Sequence, residues 1–334
     1  MKIFASLPRR LRPTIALLVV AGSIAHAIPP SASGSPPPPP VADRFAPPSD
    51  DRAIEIALAA LEAIRADWAL ARYAAADRVR GRLNLRGTGT GMDVGVTASA
   101  VVDRPNRRWR LDASGDVGPL TLAVSPRRAL LYVASLEQHA VRPPGTLASA
   151  LLAANPAARV DAMRANLRDG YAALRFEGEE LVGGAAAWRL EESPEPGVTA
   201  SYWIDQRTSL PLRVVLDRPG RNDVRVEFGY GAGPRPTRVA AYVEGQRDVQ
   251  VVASPAYDGA GRARHVHVDA TVAGGGSYSI DVMLDWSPRI APGFFDFAPP
   301  AASQAVSFSQ LLQGVVFSAA GKLGGLVSAF LGGR

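Results

Sequence analysis

Arg78-Val79-Arg80-Gly81-Arg82-Leu83-Asn84-Leu85-Arg86 sets an apolar or small residue at every second position and a polar one between. Period two is the repeat of a β-strand, and segregation of this kind means one dry face and one wet face. Further short stretches with strand character follow on the C-terminal side, at 92–102, 107–113, 120–124 and 129–134. After an interruption they resume at 172–182, 185–191, 199–204, 211–217, 223–228, 237–244, 249–253, 263–272 and 277–286. Turn signals part them: Arg104-Pro105-Asn106, Val182-Gly183-Gly184, residues 217–220, Asp258-Gly259 and residues 274–276. Over a dozen consecutive short strands joined by tight turns predict a large antiparallel sheet, which at that size curls into a barrel or half-barrel. The fold class is thus mainly β with helices (α+β).

The helices lie before the strands and in the interruption. Residues 49–76 carry Ile54, Leu58, Leu61, Ile64 and Trp68 at three- and four-residue steps, with Ser49 or Asp50 as N-cap. Residues 146–154 and 156–167 carry Leu147, Leu151, Leu152 and Val160, Met163, Leu167 in the same way. Helices so placed cover the concave side of a curved sheet, where they either enclose an apolar cavity or fill the space. Inward residues able to line such a cavity are Leu83, Leu85, Trp109, Leu111, Leu120, Leu122 and Trp203 from strands and Leu151 and Met163 from helices.

The ends of the chain speak to compartment. Residues 1–12 hold Lys2, Arg9, Arg10 and Arg12 and no acid, residues 14–25 are apolar or small, and Ala25-His26-Ala27 has the small-x-small shape a signal peptidase cuts. That is a secretory leader over 1–27, with an uncleaved anchor as the alternative. Leu11-Arg12-Pro13 after Arg9-Arg10 argues against the twin-arginine route. Residues 28–49, with the proline run at 36–40, form an extended spacer or a Pro-rich ligand. The whole chain has formal charge +6; losing four basic residues with the leader leaves it near +2, too balanced for a nucleic-acid surface. There is no cysteine, which excludes disulfides, thiolate metal sites and an N-terminal lipidated cysteine.

Three stretches resemble a known family. Pro105-Asn106-Arg107-Arg108-Trp109-Arg110-Leu111-Asp112 with Gly118-Pro119-Leu120 is similar to the early strands of the bacterial LolA/LolB-like lipoprotein-carrier superfamily. Tyr202-Trp203-Ile204-Asp205 followed by Thr208-Ser209-Leu210-Pro211-Leu212-Arg213 resembles its "Ile-Asp … Gly-Leu-Pro-Leu-Arg" hairpin, with Ser209 where glycine is common. Phe295-Asp296-Phe297-Ala298-Pro299-Pro300 looks like the strand end that closes the family's chain. The resemblance covers residues 50–300. It implies a half-barrel whose cavity receives lipoprotein acyl chains or other lipids in the periplasm, some relatives instead sensing envelope stress.

Residues 301–334 continue beyond that element. From Ala298 to Gly333 the only charge is Lys322, and on a helix Phe308, Leu311, Leu312, Val315, Val316, Leu323, Leu326, Val327 and Phe330 form one apolar face behind Ser307 as N-cap. This segment lies at a membrane interface, plugs the domain's own cavity, spans a membrane, or forms a tail or oligomer contact; pattern alone leaves all of these open.

No catalytic set stands out. His265, His267 and Asp269 alternate on one strand face and could hold a metal, but Val266, Val268, Ala270 and Val272 claim the core and put the histidines in water. Glu177, Glu179 and Glu180 read as a solvated cluster at a turn, and Gly87-Thr88-Gly89-Thr90-Gly91 as a hairpin turn. The expectation is a non-enzymatic exported carrier with lipid or lipoprotein acyl chains as partners and no cofactor or metal. The alternative is an envelope sensor or interaction protein, held to a membrane surface or an envelope protein by its C-terminal segment.

Overall fold

The computed structural model describes residues 50–311, apart from 69, 75, 90–91, 116–117, 144–155, 170–173, 196, 219–222, 245–248, 274–275 and 308–309. The leader, the Pro-rich linker, the helix expected at 146–154 with Leu151, and Phe308, Leu312 and the rest of the C-terminal apolar face therefore lie outside the described residues.

Two helices, α1 (Asp51–Asp67) and α2 (Leu70–Ala74), replace the single helix expected across 49–76. Asp50 is the N-cap of α1; its carboxylate accepts the Arg52 backbone N–H at 2.9 Å and satisfies a donor the helix itself cannot. The chain turns at Trp68, which is buried with its ring 6.0 Å from that of Phe228. The turn carries Tyr73 to the strand ends. There its hydroxyl accepts the Ala263 N–H at 2.8 Å and its ring stands edge-on to Trp286.

Six strands follow: β1 (Arg78–Gly89), β2 (Met92–Asp103), β3 (Arg108–Gly115), β4 (Leu120–Val124), β5 (Ala129–Val133) and β6 (Gln138–Arg142). After helix α3 (Pro156–Arg168) come β7 (Leu174–Val182), β8 (Ala185–Glu195), β9 (Val198–Asp205), β10 (Pro211–Asp217) and β11 (Asp223–Tyr230). The last are β12 (Pro236–Glu244), β13 (Val249–Tyr257), β14 (Ala263–Val272), β15 (Gly276–Asp285) and the short β16 (Gln304–Ala305). All belong to one open, curved sheet in the order β16-β6-β5-β4-β3-β2-β1-β15-β14-β13-β12-β11-β10-β9-β8-β7, antiparallel throughout except at β16. It is two meanders, β1 to β6 and β7 to β15, sewn together where β15 returns to pair with β1. The result is a half-barrel with helices on its concave side.

Directly opposed residues of an antiparallel pair share a face. One row runs Val239, Ala253, Val268, Ile280, Leu85, Val96; the next runs Val226, Ala241, Val251, Ala270, Tyr278, Gly87. The apolar face is therefore continuous across both meanders. On its β7–β12 side α1 buries Ile56, Leu61 and Ile64 in one core with Leu190, Ile204, Val214 and Val226, and α3 adds the fully buried Val160. Arg65–Asp161 at 2.8 Å and Arg164–Glu62 at 2.7 Å tie α3 to α1; being partly exposed, such pairs are worth about 0–1 kcal/mol each.

The motif hairpins carry fold. In the β9–β10 turn the Asp205 carboxylate accepts the Arg207 and Thr208 backbone N–H groups at 2.9 and 2.7 Å, and the Thr208 hydroxyl at 3.0 Å. Ser209 then takes a left-handed φ of 57°. A non-glycine residue there is strained by about 1–2 kcal/mol, against about 0.5–1 kcal/mol of extra chain entropy that glycine loses. Ser209→Gly is accordingly expected to stabilise the domain by about 0.5–1 kcal/mol, read as a higher urea midpoint at unchanged slope.

Two expectations are corrected here. Glu177, Glu179 and Glu180 lie within β7, not in a turn, and pair with Arg175, Arg52 and Arg189 respectively. Phe295–Pro300 forms no strand. Residues 286–303 instead cross the convex face as a strap, with the Phe294 and Phe297 carbonyls accepting Arg110 and Arg128 at 2.8 and 3.1 Å and Phe295 under the Arg108 guanidinium. The strap reaches the sheet edge, where β16 pairs with β6 and the Val306 N–H donates to the His139 carbonyl at 2.9 Å. The sheet thus extends past residue 300.

Candidate functional site: an unroofed apolar trough

The concave surface falls into two halves. Over β7–β12 it is roofed by α1, α2 and α3. From β13 through β14, β15 and β1 to β2, ten residues facing the same way are half-buried: Val251, Ala253, Val268, Ile280, Val282, Leu83, Leu85, Val96, Ala98 and Ala100. Val249, Val266, Ala270, Val272 and Tyr278 share that face and are buried. Among the described residues, no side chain of α1, α2 or α3 joins the apolar clusters of this half. The surface is a trough without a single charged or hydrogen-bonding side chain among these ten, left partly open to water.

Buried aromatic side chains stand at both ends of the trough. Tyr278 is 3% exposed and packs with Val243, Val249, Ala270 and Val272. Its ring lies over Gly87, where a Cβ would collide with it, so the glycine in that run is required by close approach and not only by a turn. At the other end Trp109 is buried with Val124 and Ala129. Beyond lies a further cluster of Leu131, Val133 and Ala140 on β5 and β6, with Leu120 and Leu122 beside it. Burial of apolar surface on such a floor is worth about 25 cal/mol per Å².

The structure brings Leu83, Leu85, Trp109, Leu111, Leu120 and Leu122 onto this one face, as expected from alternation. Met163 is on α3, packed into the helix-covered core and away from the trough. Trp203 is corrected: it faces the convex side. There its indole N–H donates to Glu180 Oε2 at 2.9 Å and the Arg189 and Arg213 guanidinium groups lie over its ring. Its neighbours Tyr202 and Ile204 face inward. The expected lining residues do not include Val251, Ala253, Val268, Ile280, Val282, Val96, Ala98 and Ala100; alternation places Val268 on the core face of its own strand and marks most of the others, but only the pairing of β1 with β15 sets Ile280 and Val282 beside Leu85 and Leu83.

The histidine face is wet, and Asp281 of β15 completes it. One oxygen, Asp281 Oδ1, lies 3.0 Å from His265 Nε2 and 2.9 Å from His267 Nδ1, while His267 Nε2 lies 3.2 Å from Asp269 Oδ1. A carboxylate at each ring nitrogen favours the imidazolium: the hydrogen bond with Asp281, helped by Asp269, raises the His267 pKa above 6.5, and the same contacts lower that of Asp281. The His267 contribution to stability is therefore full below pH 6.5 and is lost as pH rises through the raised folded value. By NMR titration His267 is expected above a free histidine, and Asp281→Asn is expected to bring it down. Among the described residues no set of three such side chains is arranged to hold a metal ion. A cavity of about 590 Å³ opens at the rim by Asp205, Thr208 and Tyr230, but those groups are bonded within the β9–β10 turn or to Pro211 O. No described helix is long and apolar enough to cross a membrane.

No protein-family model matches the chain, and no curated protein matches it. Solved structures do. A LolA superfamily protein from Nitrosomonas europaea is similar at 12% identity over 73% of this chain and 96% of that one, with a TM-score of 0.30. A putative outer membrane lipoprotein-sorting protein domain from Vibrio parahaemolyticus is similar at 12% identity over 72% and 97%, TM-score 0.31. A chain of the Pseudomonas aeruginosa MucA/MucB complex is similar at 14% identity over 73% and 96%, TM-score 0.21.

Proposed function

We propose that this chain is an exported, non-enzymatic carrier that holds lipid or lipoprotein acyl chains against the unroofed half of its concave sheet. One observation carries this: ten half-buried apolar side chains from five adjacent strands, Ile280, Leu85 and Val96 at their centre, form a single floor that the described helices leave uncovered. Contiguous apolar surface left partly open to water is what a ligand or partner covers. The floor offers no hydrogen bond, so it selects for apolar bulk and not for a headgroup. Each methylene laid on it contributes about 0.8 kcal/mol. Release then requires only a competing site of higher affinity. Export follows from the leader-like residues 1–27, with their basic start, apolar run and Ala25-His26-Ala27.

Native mass spectrometry with lipid extraction tests this on the chain lacking residues 1–27, with and without residues 312–334. Copurifying acyl lipid, or uptake of an offered acylated peptide by either form, is the expected result. Two empty forms that stay empty when offered acylated peptide overturn it. They would leave an envelope interaction protein whose C-terminal segment is its binding part.

A further inference from the structure

We infer that one rim of the half-barrel, built from the connections after β2, β4, β9, β11, β13 and β15, is a docking surface for an anionic lipid membrane. An antiparallel meander brings alternate connections to one end of the sheet. The two meanders agree at their seam, where Arg80 near the start of β1 pairs with Asp285 at the finish of β15. Each of the six connections carries an arginine: Arg107, Arg127, Arg207, Arg235, Arg262 and Arg289 in that order. Arg107, Arg127, Arg207 and Arg289 are exposed, and among the described residues none of the four forms an ion pair. The acids at this end are engaged. Asp103 and Asp205 are buried and accept bonds within their own turns, Asp258 holds Arg262 at 3.0 Å, Asp285 accepts the Ser287 N–H, and the Asp77 carbonyl accepts the Arg104 N–H. The opposite end is acidic. Glu137 lies in the β5–β6 turn and Asp217 and Asp223 at strand termini, with Arg218 the one arginine among the described residues of the turns there. The near-balance of the whole chain therefore hides a separation of charge from end to end.

Width and chemistry favour a membrane over an acidic protein. From β4, which leads to Arg127, to β10, which follows Arg207, the sheet steps across nine strand spacings, or about 43 Å. An ordinary protein contact of about 800 Å² per partner is only about 30 Å across. A protein contact is also anchored by exposed apolar or aromatic side chains. The large exposed apolar residues are Leu136, Val141, Leu181 and Met283, and none of them lies in these six connections. Separate cations spread along an arc, with no apolar anchor among them, suit a broad sheet of lipid phosphates. The placement also serves the trough. From Ile280 and Leu85 its floor steps toward this rim through Val282 and Leu83 and then Leu284 and Gly81. A membrane docked here lies at the end of the apolar floor. The docking does not depend on the carrier proposal and stands or falls separately from it.

Co-sedimentation with phosphatidylglycerol or phosphatidylcholine vesicles tests this. It is run on the full chain and on the chain lacking residues 1–27, because the leader carries four basic residues of its own. Binding to phosphatidylglycerol alone, weakening as salt rises, is the expected result. Each arginine held at an anionic surface tightens binding about fivefold. Arg127→Gln with Arg207→Gln is therefore expected to weaken binding of the shorter chain about twenty-fivefold. Arg82→Gln with Arg86→Gln removes the same charge from the exposed convex side of β1. Those two positions lie about 13 and 27 Å along the strand from Arg78, beyond the Debye length of about 8 Å, and the pair should bind as wild type. Equal loss in both variants overturns the proposal in favour of net charge. Loss in neither overturns it in favour of the C-terminal segment as the membrane-binding part. Equal binding to both lipids overturns it too, since apolar contact would then suffice. Binding to neither leaves the rim to an acidic protein. Rim-dependent binding in a chain that takes up no acyl lipid keeps the docking surface and removes the carrier; acyl uptake without vesicle binding does the reverse.

Discussion

Asp103→Ala is expected to destabilise the domain by about 3 kcal/mol, at the low end of the range for breaking a buried ion pair. The Asp103 side chain is 0% exposed, at the start of the Arg104-Pro105-Asn106 turn. It accepts the Arg108 Nε–H at 2.9 Å and both hydrogen bonds of the Asn106 amide at 3.1 and 2.9 Å, with Arg78 at 3.7 Å. Burial alone would push its carboxyl up. The bonds from Asn106 and Arg108, with the charges of Arg108 and Arg78, outweigh it and hold the pKa below the usual carboxylate value. Truncation leaves these donors facing a void. Arg108 and Arg78 are partly exposed and recover water, which is why the loss sits near the bottom of the range. For a domain of this size the melting temperature should fall by about 6–12 °C. The sign with pH is fixed by the lowered pKa: the contribution is full above the ordinary carboxylate range and disappears as pH falls through the folded value. The gap between wild type and variant should therefore close in acid. A gap that persists unchanged at low pH would mean that the carboxylate's charge is not what holds the turn.

What could be read from the sequence, and what could not, divides along one line. A strand with one wet face announces itself, as β1 does through Arg80, Arg82 and Arg86 against Leu83 and Leu85. β9 is harder to read: Thr199, Ser201 and Asp205 share the parity of Trp203 against Val198, Ala200, Tyr202 and Ile204, which points Trp203 to the convex side, but the bulk of the indole argues for the core, and the ring is in fact buried beneath arginines and Glu180. β6 has only Ala140 and Val141 as apolar residues, and Val141 is exposed at the edge, so no alternation marks it. Two-residue β16 has no pattern to show.

The trough itself was half legible. Each strand's inward set follows from its own alternation, but the seam between β1 and β15 joins Leu85 to Ile280, nearly two hundred positions apart. Nothing local in either strand names its partner. The seam also carries the proposed function, because it sets an uncovered floor where two separate meanders would each have left an edge. Likewise the hairpin part of the resemblance is held by a turn: buried Asp205 fixes the β9–β10 hairpin and lies outside the trough.

Ile280→Arg is expected to lower acyl-chain affinity at least a hundredfold while leaving the fold intact. Ile280 sits at the middle of the floor, paired with Leu85 on one side and Val268 on the other. A guanidinium there displaces about two or three methylenes of cargo, at about 0.8 kcal/mol each. Any chain that still binds strips water from the charge, which costs more again. A hundredfold is about 2.8 kcal/mol, so the loss of contact nearly reaches it before the charge is counted. The fold should tolerate the change because Ile280 is only half-buried and the longer side chain can carry its head out of the trough. Ser279→Arg, one residue away and on the convex face, adds the same charge without touching the floor and should bind as wild type. Titration of both variants with a fluorescent acyl probe separates the possibilities. Equal loss in both would indict net charge or fold; loss in neither would place the cargo elsewhere on the molecule. Loss at 280 alone assigns binding to the seam between the two meanders.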